Sequence, residues 1–83
     1  MHDEQTTHPG ILLNDRFLSP RGMSVYRLAL AINVPSSTLE RFVGGRTHVT
    51  RDLAQRLGEY FDTDSRYWLD QQQRFNNRLS VRA

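Results

Sequence analysis

The 83-residue chain has no cysteine and no lysine, and it holds only three prolines, five glycines and one tryptophan. Without cysteine there is neither a disulfide framework nor a cysteine-based zinc site, which fits a cytoplasmic compartment. No apolar run approaches the ~18 residues that would span a bilayer, and the acidic, polar opening "MHDEQTTHPG" is unlike a signal peptide. His2, His8 and His48 lie far apart, whereas a metal site needs three or four ligands in fixed geometry. There is no nucleophile elbow and no pair of carboxylates on one apolar face, and Gly44-Gly45 does not make a phosphate loop. These absences argue against an enzyme, a cofactor, a metal or a small-molecule substrate. The length implies one domain with a modest core, which a partner or a second copy would help to stabilise.

What is present is arginine, distributed unevenly. Residues 1–15 carry a balance of −3, residues 16–56 of +5 and residues 57–83 of zero, for a net charge of +2. A basic middle is the electrostatic footprint of an anionic partner such as nucleic acid. Arginine's planar fork suits phosphates and guanine edges better than lysine's point charge.

The pattern along the chain predicts helices only. Residues 1–7 show no apolar periodicity and are expected to be flexible. Pro9 suits the first turn of a short helix over "GILLNDRFL", with Leu13 and Phe17 on one face, ended by Pro20 and Gly22. Ser24 can cap "VYRLALAI", which buries Leu28, Ala29 and Ile32 and turns Arg27 outward. Asn33 tolerates the left-handed geometry of a helix end, and Val34-Pro35 leads to a third helix from Ser36 to Val43 that Gly44 and Gly45 stop. Thr50 can cap a fourth helix carrying Leu53, Leu57 and Phe61, and Asp64 a fifth carrying Trp68, Leu69, Phe75 and Leu79. The expected fold is all-α: a compact five-helix domain over residues 8–79, with a short tail at 80–83.

Two short helices joined by a three- or four-residue connector have helix-turn-helix spacing, and the second of such a pair usually meets base edges in the major groove. On that reading Ser36, Ser37 and Thr38 approach bases or phosphates and Arg41, one turn after Ser37, reaches guanine O6 and N7, while Leu39 and Phe42 hold the helix on the core. The same residues also fit a plainer account. The hydroxyls are ordinary N-cap types, "STLE" at 37–40 matches a capping box with Glu40 reaching back, and Arg41 suits a solvated surface. The two accounts are compatible.

The ordered set "HPG", "FL-P-GMS", "RLA", "VP", "V-GGR" and "YFDTDSRYWLDQQ", running from His8 to about Leu79, resembles the HigA antitoxins, a branch of the lambda-repressor-like (XRE) helix-turn-helix proteins. The resemblance implies a bacterial, cytoplasmic homodimer, nucleoid-associated when bound to DNA. It would bind double-stranded operator DNA, repress its own operon and neutralise a HigB-type mRNA-cleaving toxin. By matching positions it puts DNA contacts on Ser36, Ser37, Thr38, Arg41 and the loop Arg46, Thr47, His48, beside the outward Arg27. Val25 departs from the pattern, because the family often has glutamine there to meet the DNA backbone. Asn33 replaces a common glycine.

The aromatic group Tyr60, Phe61, Tyr67, Trp68 and Phe75 has two readings, core packing between the last helices or a self-association surface using Trp68, Phe75 and Leu79. Rival functions are a protein-interaction module without DNA binding, favoured by the aromatic half and Val25, and a solitary phage-type repressor with no toxin. With so short a tail, toxin contact would fall on folded helices or the acidic N-terminus.

Overall fold

The computed structural model describes residues 7–82, with side chains described as far as residue 78. Five α-helices follow one another: α1 Pro9–Leu13, α2 Val25–Ile32, α3 Ser36–Val43, α4 Arg51–Phe61 and α5 Ser65–Arg82. The described residues contain no strand, and none of their helices is long and apolar enough to cross a membrane. Helix α5 continues to Arg82, through most of the segment expected as a tail. The expected flexibility of residues 1–7 concerns positions that, Thr7 apart, lie outside the described residues.

The first helix differs from expectation. After Leu13 the chain winds wider, as a π turn over Asn14–Leu18, and then tightens into a 3-10 turn over Ser19–Arg21. An i→i+5 winding puts residues five apart on one face. Leu13 and Leu18 are therefore both fully buried, while Phe17, expected inward at i+4, is only half-buried.

Helix starts follow the capping chemistry. Ser24 Oγ accepts from the Arg27 N–H, Thr50 Oγ1 from the Leu53 N–H and Asp64 Oδ1 from the Arg66 N–H. Helix ends share one device. At Gly22, Asn33, Gly45 and Asp62 the chain turns left-handed, with φ of 62°, 60°, 80° and 60°. The next N–H then reaches back five residues, from Met23 to the Leu18 carbonyl, Val34 to Ala29, Arg46 to Arg41 and Thr63 to Gly58. Asn33 thus performs the expected glycine-like role.

The core is one cluster. Leu13, Leu18, Leu28, Leu39, Phe42, Leu57 and Trp68 have no exposed surface, and each contributes about 1.5–3 kcal/mol of burial. Gly10 sets how α1 seats on α3: a Cβ there would collide with the Phe42 backbone carbonyl. The expectation that Trp68 forms a self-association surface is corrected here. Trp68 is 0 % exposed, packs its ring 5.1 Å from Phe17 and donates its Nε1–H to Thr63 Oγ1 at 3.0 Å. Phe75 is half-buried, and the Leu79 side chain lies outside those described.

Candidate nucleic-acid interface

Helices α2 and α3 are joined by residues 33–35. Leu28, Ala29 and Ile32 bury one side of α2, and Leu39 and Phe42 bury one side of α3. The opposite side of α3 presents Ser37, Glu40 and Arg41 to solvent.

No side chain caps α3: Pro35 holds the N-cap position and its carbonyl accepts the Leu39 N–H. The capping box expected from Glu40 does not form, because the N-cap is Pro35 and not Ser37, so the helix starts two residues earlier than that register needs. The hydroxyls of Ser36, Ser37 and Thr38 make no hydrogen bond among the described residues, nor does the Glu40 carboxylate. First-turn N–H groups have no partner within their own helix, so this end is left to water or an anion.

The expected contact residues fall into two neighbouring clefts. Ser37, Arg41 and Arg46 line one of about 490 Å³ with Glu40 and Gly44. Thr38, Thr47 and His48 line another of about 380 Å³ with Pro35, Phe42 and Thr50 among its walls. Ser36, half-buried, and Arg27, exposed on α2, line neither. Val25 is half-buried against the core and brings no polar group. The left-handed Gly45 turns the chain so that the Arg46 N–H bonds the Arg41 carbonyl at 2.9 Å, which sets both arginines side by side in one cleft. Neither guanidinium has an ion pair or hydrogen bond among the described residues.

The loop after α3 is held from three directions. Arg46 is tied to α3 as described. The Thr47 carbonyl lies 2.9 Å from His8 Nε2, and the Val49 N–H donates to Gln72 Oε1 of α5 at 2.9 Å. His8 and Gln72 escape sequence reasoning as loop supports, because they lie 39 and 23 residues from their partners. His8 does cap α1, its Nδ1 accepting the Gly10 N–H at 2.9 Å, as "HPG" suggests. Arg51, exposed at the start of α4 and without an ion pair among the described residues, is a further cation beside this loop. Its only sequence signal is membership of the basic middle segment.

A connector of this length, a first helix with one side buried and a second helix with an outward polar face define a helix-turn-helix protein. The chain is 34% identical to "Virulence-associated protein I" of Dichelobacter nodosus over 73 residues, covering 88% of this chain and 68% of that protein. It is 34% identical to a Pseudomonas aeruginosa protein solved in complex with its 18-base-pair operator DNA, covering 89% of this chain and 80% of that one at a TM-score of 0.87. To the Pseudomonas aeruginosa antitoxin HigA, solved with the higBA promoter, it is 33% identical, covering 90% and 82% at a TM-score of 0.87. No family model matches the chain. The chain belongs to the HigA family of XRE-like helix-turn-helix antitoxins.

Proposed function

We propose that this chain is an antitoxin that binds its own operator as a homodimer, represses its toxin–antitoxin operon and neutralises a HigB-type mRNA-cleaving toxin. The observation that carries this reading is the outer face of α3, where Ser37, Arg41 and Arg46 share one cleft with their side-chain hydrogen-bonding groups unengaged among the described residues. Groups left unsatisfied by the fold are available to bases and phosphates. Arg41 reads guanine, Ser37 and Thr38 approach base edges or phosphate, and the uncapped N-terminus of α3 receives a phosphate. Arg46, Thr47 and His48 hold the flanking backbone, with Arg27 adding charge from α2. The relatives solved with operator and promoter DNA support the choice of ligand.

The test is a titration against labelled DNA from upstream of the chain's own gene, beside a scrambled duplex, at two salt concentrations. Tight binding to the upstream DNA alone is expected, with affinity falling steeply with salt. Weak, equal binding to both duplexes would leave only generic charge and favour the protein-interaction module. The dimer is checked by sedimentation and the toxin by co-purification with the neighbouring gene product. Operator binding without such a partner would mean a solitary repressor.

A further inference from the structure

His8 is a buried histidine that the DNA reading leaves unused. It is 3 % exposed, with its ring 5.6 Å from that of Phe42 in α3 and 5.1 Å, edge-on, from that of Phe75 in α5. Both ring nitrogens are engaged, Nδ1 by the Gly10 N–H and Nε2 by the Thr47 carbonyl, each at 2.9 Å. A nitrogen that accepts carries no proton, so Nε2 holds the proton and donates it. The two bonds coexist only in the neutral Nε2–H tautomer.

Thr47 is the middle of the Arg46–His48 loop, and backbone atoms on either side of it are tied to α3 and α5. Among the described residues His8 supplies the one side-chain bond to that middle. We propose that His8 is a positioning residue: when neutral it holds the Arg46–His48 loop in the pose offered to phosphate, and when protonated the ring, set donor against donor at Gly10, leaves its buried seat and so lets go of the loop as well as the first turn of α1. The proposal rests on the operator-binding reading above.

The reason is geometric. A proton on Nδ1 would face the Gly10 N–H, donor against donor, in a site that excludes water. Among the described residues the packed elements supply no counter-charge. Helices α3 and α5 offer Phe42 and Phe75, and the titratable group acting on the ring, His48 in the loop itself, repels a second positive charge. Burial accordingly holds the His8 pKa below its usual 6.5, His48 adds to this and the bond to Thr47 opposes it. A depressed folded-state value means that the unfolded chain takes the proton first. The contribution is complete above pH 6.5 and is lost as the pH falls below it.

The test variant is His8→Asn. Asparagine Oδ1 can take the place of Nδ1 and is a good N-cap, but the side chain has no atom where Nε2 sits. In the full chain we expect retained helical circular dichroism, faster amide exchange at Arg46 and Val49, and about fivefold weaker operator binding at pH 7.5. Wild-type affinity should fall from pH 7.5 to 5.5, whereas the variant's should not. Added positive charge beside phosphate strengthens binding, so a fall of affinity with pH cannot come from the contact loop's own charge. Nitrogen chemical shifts of the wild-type His8 ring read the tautomer without DNA and without relying on the variant's folding. An Nδ1–H or charged ring at pH 7.5, or equal loop exchange in the two proteins, would overturn the proposal. A wild-type chain without operator preference would instead sink the operator-binding reading, and ring tautomer and loop exchange would still judge the tether.

Discussion

The arginines on the α3 side and those turned back onto the frame, Arg21 and Arg56, live under opposite rules. Arg41 and Arg46 sit side by side, and among the described residues neither guanidinium has a partner. Arg56 donates Nε–H to Asp52 at 2.8 Å and Nη1–H to the Ile32 carbonyl at 2.8 Å, so it closes the end of α2 against α4. Arg21 donates to the Phe17 carbonyl and lies 5.0 Å from the Phe61 ring centroid. The basic middle segment is therefore two populations. One is consumed by the frame, and the other keeps its hydrogen-bonding capacity for something outside the chain. Segment charge alone overstates the charge available to a partner.

Four substitutions separate frame from reading face. Trp68→Ala should cost about 3–5 kcal/mol of stability, since a wholly buried indole and its bond to Thr63 are lost together; thermal denaturation measures it, and an exposed-site effect below about 0.5 kcal/mol would contradict the burial. Arg41→Ala should cost about 1–3 kcal/mol of operator affinity and relax base preference at one position while leaving the melting temperature in place. Equal losses on operator and scrambled DNA would make Arg41 a phosphate contact only. Arg56→Ala should do the reverse, lowering stability by about 1 kcal/mol because both bonds are partly solvent-exposed and leaving the salt slope of binding unchanged. Arg46→Ala should weaken binding evenly across sequences and flatten the salt slope by about 1. An unaltered slope would move Arg46 out of the contact set.

The legible parts of the fold were those set by local chemistry. The Ser24 and Thr50 caps, the left-handed Asn33, the α2–α3 connector and the inward Leu28, Leu39 and Phe42 all follow from residues within one or two turns of each other. The π turn at Asn14–Leu18 was not legible, because "GILLNDRFL" fits a regular helix equally well and packing chooses the winding. The left-handed geometry of Asp62 is not legible either, since aspartate suits many turn positions. The capping box at Glu40 fails on register by two residues, because Pro35 and not Ser37 takes the N-cap position. Trp68 was left open between core and surface because its partners, Phe17 above all, come from the far end of the chain. In the candidate site the outward residues were visible from periodicity. Their supports, His8 and Gln72, were not, since no short-range signal ties either one to residues 47–49.

The seat of α1 on α3 leaves less room than one methyl group at Gly10, against a backbone carbonyl that cannot swing aside as a side chain can. Its neighbour Ile11 is 41 % exposed. Residues 10 and 11 thus carry different physical constraints. The first is confined to glycine for as long as the two helices keep this spacing, and the second, partly exposed, has room for other side chains. A glycine of that kind is a molecular ruler: any chain that retains it after histidine and proline can be expected to hold its first helix at the same distance from the helix that reads.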